Sequence, residues 1–190
     1  IAWADLVQGL ALLVGGLLWL PVRRARGEVG EIVVCGPNVM RGYWRKPEQT
    51  AGAMKGGVYW TGDLGYMDAD GFLFVVDRSK DMIVSGGENV YSTEVEDALY
   101  RHPAVLEAAV FGIPDADWGE AVHAVVVPRP GHEQLDPAEL IAFCRQQIAA
   151  YKVPKRIELR REPLPKSGPG KVLKRELRAP FWQGRDRGVN

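Results

Sequence analysis

YWTGDLGYMDADGFLFVVDRSKDMIVSGGENVY, residues 59–91, sets acids, bases and glycines at fixed offsets around two apolar, strand-like runs. Gly62 permits a backbone turn that a residue with a Cβ resists, so the Thr-Gly-Asp corner is expected to project the Asp63 carboxylate from a loop. A carboxylate held in that way can accept two hydroxyl hydrogen bonds from a ribose. FLFVVD, from Phe72 to Asp77, is rich in β-branched and aromatic residues and reads as a strand that delivers Arg78 at its end as a permanently charged fork. Taken singly, Asp63 could cap a turn and Arg78 could sit in a solvated salt bridge; together they suit a nucleotide.

Upstream, EIVVC and the stretch around Val58 to Trp60 read as strands between turn signals, and MDADG supplies the reversal before FLFVV. These segments form a small β-rich unit ending near Asp77. Downstream, MIV gives a short strand and SGGEN a glycine loop. Thr93 with Glu96 three residues later then makes a capping-box signature for a helix that ends near Pro103, with Val95, Ala98 and Leu99 as its apolar stripe. EAAVFGI (Glu107 to Ile113) and AVHAVVV (Ala121 to Val127) are expected to share a sheet, separated by PDADWGE. Asp136, Pro137 and Glu139 open a second helix, which packs on that sheet through Leu140, Phe143, Cys144 and Ile148. RIELR alternates as a further strand, and KVLKRELR reads as a basic terminal helix. The fold class is α+β: a β-rich subdomain, then an α+β domain with a small sheet flanked by helices.

Composition narrows the function classes. The chain has 190 residues, 46% hydrophobic content and a formal net charge of +0, which suits a globular protein and argues against a general nucleic-acid binder. The charge is nevertheless segregated: residues 88–139 are strongly acidic and residues 152–187 strongly basic. A basic tail of this kind is either a phosphate-facing surface or simply a solvated one. Cys35 and Cys144 lie far apart without metal-like spacing and are expected to be reduced and buried. His102, His123 and His132 are scattered, so no metal site and no nucleophilic triad is expected. Leu6 to Leu20 is almost wholly apolar, yet as a helix it would span about 22 Å, short of the roughly 30 Å hydrocarbon core. Trp3, Trp19 and the following arginines imitate a membrane anchor, so residues 1–26 stand as a segment of uncertain nature. The chain opens on Ile1 and is expected to be a fragment.

The ordered series TGD, DRSKD, SGGENVY, EVE, PDADWGE, AYKVPK and PKSGPGK resembles the adenylate-forming superfamily of acyl-CoA synthetases, luciferases and peptide-synthetase adenylation domains. The match runs over residues 27–178, and several motifs in one order are far more specific than a single Gly-rich loop. The resemblance implies that residues 27–80 end a large adenylating domain and residues 81–190 form a mobile lid domain, with Lys80 as the hinge. It further implies that Lys171, on the Ser167–Gly170 loop, meets the reacting carboxylate and phosphate, with Lys166 as electrostatic support. Asp63 and Arg78 then hold the nucleotide. Gly86 and Gly87 line the path of the CoA arm, and Trp118 and Tyr151 face the CoA nucleotide. Locally, the glycines could equally form a simple turn and the two aromatic residues could pack in the core. Trp60 stands where many members of the superfamily carry a basic residue, and Val153 where some have an arginine near the CoA phosphate. ATP with Mg2+, CoA and a carboxylic acid are the implied ligands, and the cytoplasm, with peripheral membrane association as the alternative, the implied location. The superfamily's phosphate loop, acyl pocket and adenine motif lie upstream of the matched region, so this chain should not activate a carboxylate alone. SGGENVY favours a CoA ligase over a peptide-synthetase adenylation domain; a non-catalytic nucleotide- or CoA-binding module is the other class.

Overall fold

The computed structural model describes residues 18–19 and 27–185. Two compact units follow one another along the chain, Ile1–Ser79 and Lys80–Asn190. Among the described residues, no helix is long and apolar enough to cross a membrane. The expectation for Leu6 to Leu20 falls outside the described residues, except that Leu18–Trp19 run as a short strand rather than a helix.

The first unit is an antiparallel sheet centred on β4 (Val58–Met67). One edge of β4 pairs with β2 (Gly30–Cys35), which in turn pairs with β1 (Leu18–Trp19). Its other edge takes β3 (Met54–Lys55) near its start and β5 (Leu73–Arg78) near its end. Ile32, Val33, Val34, Leu64 and Met67 form the buried centre. Helix α1 (Pro47–Ala53) is not anticipated by the sequence. It opens on a proline, which fits a first helical turn, but buries no residue, so it carries no apolar stripe to betray it. The strand FLFVVD is present, but its apolar residues are not its buried ones: Phe72, Leu73, Phe74 and Val75 are exposed, whereas Asp77 is buried.

The second unit is built on the hairpin of β8 (Val105–Asp115) and β9 (Gly119–Pro128), paired antiparallel along its length. β10 (Arg156–Leu159) runs parallel to β9, and β6 (Ile83–Ser85) with β7 (Glu88–Val90) completes the sheet. Helices α2 (Ser92–Tyr100) and α3 (Pro137–Gln147) cover one face, burying Val95, Leu99, Leu140 and Cys144 against Val110, Val122 and Ala124. The other face, with Phe111, Ile113, Ala121 and Val125, lies under Leu164, Val172, Leu177 and Phe181 from the C-terminal segment. Covering both faces explains why these strands read as continuous apolar runs without alternation.

α3 starts as expected: Asp136 Oδ1 accepts from Ala138 N–H at 2.8 Å, with proline in the first turn. α2 does not. Its N-cap is Tyr91, which makes no side-chain cap bond, so Thr93 and Glu96 lie inside the helix rather than framing its start. Glu96 instead turns inward, accepting from Val110 N–H at 2.7 Å and pairing with Lys174 Nζ at 2.7 Å. The terminal helix α4 is shorter than the basic run suggests, Lys174–Arg178, and continues as a 3-10 turn, Ala179–Trp182. Cys144 is buried as expected and Cys35 only partly so; both are free thiols.

Candidate functional site

Thr61, Gly62 and Asp63 sit within β4, which corrects the expectation that Asp63 projects from a loop. The local irregularity is real, because Gly62 has φ +75° and Thr61 Oγ1 accepts from Asp63 N–H at 3.0 Å. Cross-strand pairing with β5 nevertheless continues through Asp63, whose register partner is Arg78. Arg78 Nε meets Asp63 Oδ1 at 3.0 Å, and both side chains keep about a third or more of their surface open (44% and 34%). One carboxylate oxygen is thus oriented by the guanidinium, and Oδ2 has no hydrogen-bond partner among the described residues.

The link between the units is held from both ends, each within its own unit. Ser79 N–H donates to Gly62 C=O at 2.8 Å in the first. In the second, Arg178 Nη1 donates to Lys80 C=O at 3.0 Å, and the same guanidinium lies 3.9 Å from Asp81.

Gly86 and Gly87 are the two central residues of a tight β6–β7 hairpin, at φ +61° and +85°. Two consecutive positive φ values match the twist of the flanking strands and favour glycine. The simple-turn reading therefore holds for the backbone, and what was expected to be loop beyond Gly87 is strand β7. A second reason for glycine applies at position 86 alone: a Cβ there would lie 2.4 Å from Trp118 Cε3. Gly86 N–H donates to Trp118 C=O at 2.9 Å.

Trp118 sits at the end of the β8–β9 hairpin. Asp115 Oδ1 accepts from Trp118 N–H at 3.0 Å and from Asp117 N–H at 3.1 Å. Those bonds, the one from Trp118 foremost, hold the Asp115 carboxyl below the usual carboxylate range. Lys155 Nζ stands 4.3 Å over the indole and 3.8 Å from Asp115 Oδ2. Trp118 is 49% exposed and Tyr151, on the 3-10 turn Ala150–Lys152, is 46% exposed, so neither is a core residue. Gly86, Gly87, Trp118 and Lys155 are thereby gathered at one end of the sheet. Val153, by contrast, is buried.

Lys171 lies on a short stapled loop. Lys166 and Val172 bridge antiparallel, Ser167 N–H donates to Lys171 C=O at 2.8 Å, and Leu173 N–H donates to Pro165 C=O at 2.8 Å. The Lys171 side chain is exposed, and its Nζ has no partner among the described residues. Its neighbours differ. Lys166 pairs with Glu107, whose Oε2 also accepts from Leu164 N–H at 2.8 Å; Lys166 foremost pulls the Glu107 carboxyl below its ordinary range. Lys152 meets Glu94 at 2.7 Å; burial works against its charge, but the carboxylate prevails and its pKa is raised. Lys174 meets Glu96 at 2.7 Å and Ser92 Oγ at 2.7 Å.

Sequence reasoning misses Lys155, Asp115, Lys174 and Arg178, and assigns Glu96 to a helix cap. The signal is present in the acidic 88–139 and basic 152–187 blocks. Four pairs join the two blocks, Lys152–Glu94, Lys155–Asp115, Lys166–Glu107 and Lys174–Glu96, so these four lysines are neither a phosphate-facing surface nor merely solvated.

Residues 94–171 match the AMP-binding enzyme C-terminal domain. The chain is 53% identical over 155 residues to feruloyl-CoA synthase of Amycolatopsis sp, covering 82% of this chain and 31% of that protein. It is 53% identical over 150 residues to long-chain-fatty-acid–CoA ligase of Bacillus subtilis (strain 168), covering 79% and 26%. It thus spans under a third of the length of these relatives. Among solved structures, it superimposes on O-succinylbenzoate coenzyme A synthetase (MenE) from Bacillus subtilis in complex with ATP and magnesium ion. The TM-score is 0.75 at 39% identity, over 85% of this chain and 34% of that one. Residues 94–171 thus match the AMP-binding enzyme C-terminal domain, and the chain is similar in sequence and in fold to part of the CoA synthetases and ligases named above.

Proposed function

We propose that this chain is the carboxy-terminal portion of an ATP-dependent acyl-CoA ligase acting on a fatty or other carboxylic acid. In the first half-reaction the acid's carboxylate attacks the α-phosphorus of ATP, the bond to pyrophosphate breaks, and an acyl-adenylate forms. In the second, the CoA sulfur attacks the acyl carbon and AMP leaves. The first unit is the end of the adenylating domain and the second is its lid.

The observation that carries the reading is Lys171: an exposed ammonium without a partner among the described residues, on a stapled loop, beside lysines that are all engaged. An ammonium in that state is available to stabilise negative charge developing on the α-phosphate oxygens. Asp63 accepts the ribose hydroxyls through its open oxygen while Arg78 orients the carboxylate. Lys80 is the hinge, supported by the separate anchoring of Ser79 and Lys80. In the thioester pose the Gly86–Gly87 turn lines the path of the pantetheine arm, and Trp118 and Tyr151 offer aromatic faces to the CoA nucleotide. Mg2+ enters with ATP as part of the substrate. Among the described residues, no group of three His, Cys, Asp or Glu side chains could hold it, so no residue here is assigned to it. The reaction runs in the cytoplasm, with the remainder of the adenylating domain supplied by the longer protein.

The test uses the full-length protein that carries this chain. Lys171→Ala should lower ATP–pyrophosphate exchange by roughly a hundredfold or more, the scale of losing one charge-stabilising donor. Thioester formation from supplied acyl-adenylate should change by only a few fold. Equal loss in both half-reactions refutes the assignment.

A further inference from the structure

The loop that presents Lys171 is tied down on both sides by lysines, one paired with strand β8 and the other with helix α2. On the entering side, Lys166 pairs with Glu107 of β8, which also accepts from Leu164 N–H. On the leaving side, three residues after Lys171, Lys174 Nζ donates to Ser92 Oγ and meets Glu96, each at 2.7 Å. Glu96 in turn accepts from Val110 N–H of β8. Ser92 and Glu96 are one helical turn apart on α2, so a single ammonium bridges both and locks the start of α4 to α2. The Lys174 and Glu96 side chains keep only 16% and 15% of their surface, unlike the exposed pair at Asp63 and Arg78. A part-buried, hydrogen-bonded charge pair is directional, and removing one partner leaves the other uncompensated.

We propose that Lys174, held by Glu96 and Ser92, is a positioning residue that fixes where the Lys171 ammonium is presented to the reacting phosphate. Lys174 touches no substrate; it acts through the loop register. This rests on the reading of Lys171 given above. A misplacement on the order of 1 Å at a charge-stabilising group costs about a hundredfold in rate.

In the full-length protein, Lys174→Met keeps the side-chain length and removes the charge. It should lower ATP–pyrophosphate exchange by roughly ten- to a hundredfold. Thioester formation from supplied acyl-adenylate should stay within a few fold, and amides of Ser167 and Leu173 should exchange hydrogen faster. Lys174→Arg should restore most of the exchange activity. Glu96→Gln, which retains an acceptor for Val110 N–H, provides a milder variant if Lys174→Met folds poorly. The two changes combined should cost no more than the worse of them. Loss of both half-reactions in parallel, strictly multiplicative losses in the double variant, or wild-type exchange in Lys174→Met overturns the inference. If Lys171→Ala abolishes exchange while Lys174→Met is normal, only the positioning role falls. If Lys171→Ala itself is normal, the functional reading falls and this one with it.

Discussion

Lowering the pH should weaken the second unit through one residue, His123. The ring is buried on the β9 face covered by the C-terminal segment, 5.2 Å from Phe111 and 4.9 Å from Phe181, ring centre to ring centre. Neither of its nitrogens has a hydrogen-bond partner among the described residues. Burial foremost, and then the charge of Arg156, pushes its pKa from 6.5 down to about 4. The sign follows from which state takes the proton first. The unfolded chain protonates near pH 6.5, whereas the folded ring resists until about pH 4, so acid favours unfolding across that window. Stability is fully retained above about pH 6.5, falls between there and about pH 4, and levels off below. At about 1.4 kcal/mol per pH unit, the loss is at most about 3–4 kcal/mol. Glu158, 4.0 Å from Nε2, recovers part of the cost once the ring is charged. Hydrogen exchange of the β8–β9 amides, measured from about pH 7.5 to about pH 4 in wild type and His123→Leu, isolates this contribution from carboxylate titration. The variant should lose less stability than wild type over that window. Parallel pH profiles for the two proteins would refute the reasoning.

Two further outcomes follow from local geometry. Gly86→Ala should destabilise the β6–β7 hairpin by more than Gly87→Ala does. Both incur about 1–2 kcal/mol of left-handed backbone strain. Only the change at position 86 drives a methyl group into the Trp118 ring, so it should also weaken CoA use in steady-state kinetics by more than Gly87→Ala does. Equal effects in denaturant melts and CoA KM would contradict the packing. Cys144 is fully buried and its thiol is pushed up to about 11 by burial, so thiol reagents at neutral pH should label it only at the rate of unfolding. Rapid labelling in native buffer, read by mass spectrometry of the α3 peptide, would show that α3 does not cover the sheet as described.

Much of the second unit is legible because its signals are local. The apolar stripes of α2 and α3 and the long apolar runs of β8 and β9 depend on helical period, proline, caps and β-branched content. Those act within a few residues. Helix α1 leaves no such signal because it buries nothing, and β4 runs further than its apolar residues suggest because Gly62 and Gly65 imitate a strand end inside a strand. The capping box at Thr93 and Glu96 is a correct pattern with a different outcome. Glu96 takes an ion pair with Lys174 and a bond from Val110 N–H, partners that lie outside its own helix.

The sequence alone determined the α+β class, the order of the motifs and the candidacy of Asp63, Arg78 and Lys171, since spacing along a chain is preserved however it folds. Only the tertiary structure decided which lysine is available. Glu94 and Glu107 capture Lys152 and Lys166 across 58 and 59 residues of chain. Glu96 holds Lys174 together with Ser92, the latter 82 residues away, and Lys171 is left exposed. Charge pairing over such distances is set by which strand and helix faces the core brings together, and no local pattern in the chain encodes it.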